Sequence, residues 1–187
     1  TLLIADEVAT GFGRTGALFA SELEGVQPDF LCVAKGLTGG YSPLAATITK
    51  EAIFRVFYGP LQKGRTFFHG HSYTGHPLGA AVALANLKVI QKTKLLEKSR
   101  YKAKLMKEEL SSLTELKQVC SVRQVGLMVG IELGESRETA YQVCRRLLKK
   151  GIWIRPLGPV LVLMPPLVIK TSEIKKLVRS VKEALIN

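Results

Sequence analysis

The chain has no CxxC pair, and its three cysteines, Cys32, Cys120 and Cys144, lie far apart. That spacing excludes a local zinc or redox motif. An odd number also argues against a complete disulfide framework, so a reduced, cytoplasmic setting is expected. No apolar run reaches the length of a membrane span, and no signal-peptide pattern is visible. Histidine is scarce. His69, His71 and His76 share one loop with no cysteine or carboxylate beside them, so no metal site is expected. Acidic residues are also few, with 15 Asp and Glu against 27 Lys and Arg, for a net charge of +12. Such a balance raises nucleic-acid binding. Yet no basic run interleaves with aromatics, and the cations of 100–107 and 145–150 stand among glutamates and leucines, as on the solvated faces of packed helices. Anionic substrates or a thermophilic surface are further explanations of the excess.

What is present is enough for one good core or two small ones, in 187 residues of which 47% are hydrophobic. The first residue is Thr1, and it enters an apolar stretch directly, so a piece of a longer protein lacking its N-terminal part is expected.

Two apolar runs dominate the opening. Leu2-Leu3-Ile4-Ala5 stops at Asp6-Glu7, and Phe30-Leu31-Cys32-Val33-Ala34 stops at Lys35. Both read as buried strands of a parallel sheet. Ligands of open α/β sheets sit beyond the carboxyl ends of the strands. A carboxylate and an amine delivered there suit pyridoxal phosphate, which needs an acid for its ring nitrogen and a lysine for its aldehyde. The plainer alternative is a pair of polar residues ending two strands. Between the runs, Gly11-Phe12-Gly13-Arg14-Thr15-Gly16 is a formal GxGxxG, with Asp29 at the distance of a dinucleotide fingerprint. Two carboxylates at the preceding strand end repel pyrophosphate, so these glycines read as a loop that lets backbone approach a ligand. Arg14 in it is a candidate anion contact or an ordinary surface arginine.

Further on, the pattern predicts a short helix over 18–24, a strand over 44–48 and a helix over 51–58. The loop 66–77 is polar, with hydroxyls at Ser72, Tyr73 and Thr74 that suit a phosphate, and a small-residue helix follows over 78–90, opened by Pro77. Composition shifts near Gln91, which predicts a division into 1–92 and 93–187. The second part reads as a smaller α+β domain: helix 95–116, strands 119–122 and 124–133, helix 139–150, strands 152–155 and 160–164, and helix 172–185 with Thr171 or Ser172 as its N-cap. Arg155 ends a predicted strand beside Pro156, where a planar cation fits either carboxylate recognition or a surface ion pair.

The run Ala5-Asp6-Glu7-Val8 through Gly16, then Asp29, Lys35-Gly36 and Gly39-Gly40, resembles the signature of the class-III pyridoxal-phosphate aminotransferases. The block His69–Leu78 is similar to the next family motif, and Trp153-Ile154-Arg155-Pro156-Leu157 with Leu163-Met164-Pro165-Pro166 to the branch that acts in biotin biosynthesis. The resemblance implies an α/β fold of the fold-type-I pyridoxal-phosphate transferases, comprising the end of a large cofactor-binding domain and a small C-terminal domain. It implies a homodimer with a shared active site, inactive as this chain alone. In it Lys35 carries the cofactor and moves protons, Asp6 pairs with the ring nitrogen and Val8 packs on the ring. Gly70 and Ser72 come from the neighbouring subunit, Ser72 to the phosphate and Gly70 to cofactor and substrate. Arg155 takes a substrate carboxylate, and Arg14 lies in the substrate pocket. The implied reaction moves an amino group from S-adenosylmethionine or lysine to 8-amino-7-oxononanoate. Ornithine-, acetylornithine- or aminobutyrate-type transfer, and a non-catalytic basic binding protein, are the alternatives. Ser72 stands where the family usually has threonine, His76 where it has asparagine, and Val162 where some relatives have tyrosine.

Overall fold

The computed structural model describes residues 1–134 and 137–186, in two compact units. One comprises Thr1–Phe12 and Ala17–Lys94. The other comprises Gly13–Gly16 and the chain from Leu95 onward. The four-residue segment that belongs to the second unit is a feature the predicted boundary at 92 does not contain.

In the first unit, β1 (Ile4–Asp6) and β2 (Phe30–Val33) pair in parallel, Ile4 opposite Phe30 and Asp6 opposite Cys32. The third strand, β3 (Ala46–Thr49), runs antiparallel to β2, so the sheet is mixed rather than wholly parallel. The first two runs form strands as expected but are not buried. Ile4 is 65% exposed and Val33, at 2%, is the one strand residue in the core. A sheet buries only the faces other elements cover, and the apolar core of this unit is small: Phe12, Val33, Ala83 and Ile90. Helix α1 (Glu51–Phe57) ends just before Gly59-Pro60, and α2 (Pro77–Lys92) carries its proline at the first turn. A 3-10 turn over Ala20–Glu24 takes the place of the expected helix over 18–24.

The second unit has an antiparallel sheet of order β4-β5-β7-β6, made of β4 (Val119–Val125), β5 (Met128–Leu133), β6 (Arg155–Leu157) and β7 (Val160–Leu163). Helices α3 (Leu95–Leu110), α4 (Arg137–Lys149) and α5 (Thr171–Ile186) accompany it. Burial alternates along β5, where Val129, Ile131 and Leu133 enter the core, as a half-buried strand requires. On α5 the buried Ile174, Val178, Val181 and Leu185 are spaced four, three and four apart, one helical stripe. The predicted break between the first two strands at Arg123 is wrong. The hairpin turns at Gly126-Leu127, where Gly126 has a φ of +57°. The predicted strand 152–155 is also displaced, to Arg155–Leu157. Neither Thr171 nor Ser172 is the N-cap: α5 already includes Thr171, and the Glu173 carboxylate reaches back to the Lys170 N–H at 2.7 Å.

Candidate active site

At the end of β1 the chain presents two consecutive carboxylates, and strand alternation sends them to different surroundings. Asp6 is exposed, and its Oδ1 accepts the Val8 N–H at 3.0 Å. Glu7 is 2% exposed. Its Oε1 accepts the Ser21 N–H at 2.8 Å and its Oε2 the Thr10 hydroxyl, which ties the glycine loop to the 3-10 turn at Ala20. Burial pushes the Glu7 carboxyl up, but hydrogen bonds from Thr10, Ala20 and Ser21 outweigh it and leave the pKa below the ordinary value of 4.5. Ionised Glu7 therefore stabilises the fold fully above that value, and the contribution disappears as pH falls through the lowered one. Glu7→Gln is expected to cost about 1–3 kcal/mol of unfolding free energy at neutral pH. The difference from the parent should shrink in acid. Urea titrations across that range check it, and a gap independent of pH would refute the role.

Asp29, the acid of the formal dinucleotide fingerprint, is committed elsewhere. Its Oδ2 accepts the Leu3 N–H at 2.8 Å and its Oδ1 meets Lys50 Nζ at 2.7 Å. This agrees with rejecting that fingerprint.

Lys35 follows β2 and opens a 3-10 turn, Lys35–Leu37. Its backbone lies in the left-handed region with φ +42°, a conformation uncommon for a residue with a Cβ. The side chain is exposed. The register Asp6–Cys32 puts Lys35 three residues beyond the point opposite Asp6. At ~4.8 Å between strands and ~3.3 Å per residue, the two backbone positions are roughly 10 Å apart. An acid and an amine so spaced on adjacent strand ends fit the donor set that pyridoxal phosphate requires, one at the ring nitrogen and the other at the aldehyde carbon. Val8, half-buried, follows the same strand end. Phe12, 4% exposed with φ +60°, packs against Gly36, where an added Cβ would come within 2.9 Å of its side chain.

Gly70 and Ser72 lie on the exposed loop before α2. Among the described residues no hydrogen bond joins them to Asp6 or Lys35.

The two candidate arginines belong to the second unit. Arg155 begins the edge strand β6, opposite Val162, and lines a groove of about 500 Å³ with Trp153, Val162, Met164, Pro165 and Pro166. Arg14, half-buried, donates from Nη1 to the Pro165 carbonyl at 2.6 Å. Its guanidinium thus holds the wall of the groove that contains Arg155. Burial lowers the Arg14 pKa. Its segment is fastened by Ser99 Oγ to the Gly13 carbonyl at 3.0 Å, Arg100 Nε to the Gly16 carbonyl at 2.8 Å, and the Leu127 N–H to the Arg14 carbonyl at 3.0 Å. Sequence reading passed over Ser99 and placed Arg100 on the solvated face of an amphipathic helix. Glu7 was read only together with Asp6, as one of two carboxylates at the strand end.

The model of the family described as aminotransferase class-III matches residues 1–185. The chain is 49% identical over 195 residues to the adenosylmethionine-8-amino-7-oxononanoate aminotransferase of Aquifex aeolicus, covering 99% of this chain and 43% of that one. A crystal structure of the enzyme of that name from Methanocaldococcus jannaschii, 44% identical, superposes with a TM-score of 0.92 over 100% of this chain and 46% of its own. A thermostable omega transaminase, 31% identical, reaches a TM-score of 0.94 over 99% of this chain and 43% of its own. The chain therefore spans less than half the length of the relatives it matches. No described helix is long and apolar enough to cross a membrane. With a family match over nearly its whole length, this α/β chain belongs to the class-III aminotransferases.

Proposed function

We propose that this chain supplies the lysine, the ring-nitrogen acid and the substrate-carboxylate arginine of an aminotransferase that uses pyridoxal phosphate. The acceptor is 8-amino-7-oxononanoate, the amino donor is S-adenosylmethionine or lysine, and the product serves biotin biosynthesis. The observation that carries this reading is the placing of Asp6 and Lys35 on adjacent parallel strand ends. The 49% identity to a relative bearing that name supports the choice of acceptor.

When bound, pyridoxal phosphate supplies an aldehyde carbon that accepts amines and a ring that takes up electrons. Asp6, anchored through its Oδ1 by the Val8 N–H, keeps the ring nitrogen protonated. Lys35 Nζ would hold the cofactor through its aldehyde carbon, and as a free amine it would be the base that moves the proton off the donor's carbon. Val8 backs the ring. Gly70 and Ser72 act in the active site of a second copy in a homodimer, the Ser72 hydroxyl at the phosphate. Arg155 binds the acceptor's carboxylate, and Arg14 shapes the same pocket. Three unpaired cysteines fit a cytoplasmic setting.

The test is amino transfer by the intact protein containing this chain, supplied with pyridoxal phosphate, oxononanoate and each donor in turn. Arg155→Ala is expected to raise KM for oxononanoate about 10- to 100-fold, the worth of a charged hydrogen-bonded pair, with a smaller change in kcat. Donor consumption in the first half of the reaction should not change. Efficient transfer to oxononanoate that survives Arg155→Ala would overturn the arginine's role. Turnover confined to ornithine-, acetylornithine- or aminobutyrate-type substrates would redirect the acceptor.

A further inference from the structure

We infer that Asn86, on α2, is a positioning residue for Lys35. The inference rests on the proposed aminotransferase reading. The Lys35–Leu37 turn is short, and within it the Gly36 carbonyl accepts a long bond, from the Gly39 N–H at 3.3 Å. Asn86 Nδ2 reinforces its end, donating to the Gly36 carbonyl at 2.8 Å and the Leu37 carbonyl at 3.1 Å. One amide group, fifty residues on in sequence, thus grips the two residues that follow the lysine.

The fit is close on every side of the turn. A Cβ at Gly39 would stand 2.9 Å from Asn86 Oδ1, so the amide occupies the space that only glycine leaves there. A Cβ at Gly36 would meet Phe12 at the same distance. Phe12 is itself held edge-to-face on Phe19, with ring centroids 5.6 Å apart. Lys35 is therefore kept at φ +42° by contacts on its neighbours, while its own side chain stays exposed. A residue in a sparsely populated conformation persists only where its surroundings over-determine it. This division suits a lysine that must release and recapture a ligand: the backbone is fixed and the amine is free to swing. A displacement of about 1 Å at a reacting group can cost about 10²-fold in rate. Asn86 sits in an otherwise small and apolar stretch, Ala83-Leu84-Ala85-Asn86-Leu87, where a helix has no need of an amide.

Two substitutions separate the hydrogen bonds from the packing. Asn86→Asp keeps the shape and removes both donors, and Asn86→Leu keeps the bulk without polarity. Both are made in the intact protein, beside the parent and Lys35→Ala. Without cofactor, amide exchange at Leu37, Thr38 and Gly39, whose N–H groups close the turn on Ala34, Lys35 and Gly36 carbonyls, should accelerate about 10-fold in both variants, with exchange along α2 unchanged. With cofactor, the pH midpoint of the lysine-linked absorbance band should shift. kcat should fall about 10- to 100-fold and KM for the keto acid stay within about 2-fold. If both variants fold and leave the midpoint, kcat and turn exchange as in the parent, Asn86 is a packing residue only. If the parent's band is unaffected by Lys35→Ala, the functional reading itself fails and the positioning role falls with it.

Discussion

Lys35→Ala, in the intact protein, is expected to lower amino transfer about 10⁴-fold and to remove the absorbance band of the lysine-bound cofactor. On the proposed reading two losses combine: the amine that would hold the aldehyde carbon and the base that would move the proton. The second can be tested apart from the first. A small primary amine added to the Lys35→Ala protein enters the space of the missing chain and accepts the proton from solution, so turnover should rise with amine concentration and with its basicity. Stability gives an independent control. The Lys35 side chain is exposed, so Lys35→Ala removes no core packing and should leave the unfolding midpoint nearly unchanged. Lys35→Gly should behave differently. At φ +42° glycine escapes a strain of about 1–2 kcal/mol, less what its freedom adds to the unfolded chain. An inactive variant more stable than the parent by about 1 kcal/mol would identify the lysine as a strained residue kept for its chemistry. A band and turnover that persist in Lys35→Ala would sink the assignment of the whole site.

The strand ends that carry Asp6 and Lys35 were legible because each apolar run stops abruptly, and such an ending marks the place where a strand leaves a sheet. The core strand β5 and the helix α5 were legible for the same kind of reason: their periods of two and near 3.6 are written in the residues. What failed depended on partners distant in sequence. Asp6 and Glu7 look equivalent side by side, and it is the hydrogen bonds from Thr10 and Ser21, three and fourteen residues on, that make Glu7 the structural one. The apolar run Ile152-Trp153-Ile154 put the predicted strand at 152–155, ending beside Pro156. Yet β6 runs through Pro156, which its edge position permits, because an edge strand has one side with no ladder to break. The mixed direction of the first sheet was not legible at all, since an apolar run of four residues carries no sign of its orientation. Asn86 left a signal, a lone amide among alanines and leucines, but its partners fifty residues earlier did not.

Gly126→Ala is expected to cost about 4 kcal/mol or more, a loss reserved for a few named mechanisms. Two of them act here. The left-handed backbone, φ +57°, strains any residue with a Cβ by about 1–2 kcal/mol. The new methyl would also stand 2.4 Å from the Arg14 carbonyl oxygen and 2.5 Å from the Thr15 carbonyl carbon. Both are backbone atoms of the Gly13–Gly16 segment, which cannot rotate aside as a side chain can. Relief requires the segment to lift, breaking the Leu127 N–H bond to Arg14 and straining those from Ser99 and Arg100. Gly158→Ala isolates the first cost. Gly158 has nearly the same φ, +60°, and nothing within 4 Å of an added Cβ, so its alanine variant should lose only about 1 kcal/mol. Denaturant titration of the two variants gives the cost of displacing the segment as their difference, and equal losses would show that the segment does not press on the turn. A functional consequence follows through Arg14. Its guanidinium holds the Pro165 carbonyl in the wall of the Arg155 groove, so lifting the segment loosens that wall. At temperatures where Gly126→Ala stays folded, KM for the keto acid should rise while the cofactor band remains, because Asp6 and Lys35 are carried by other strands.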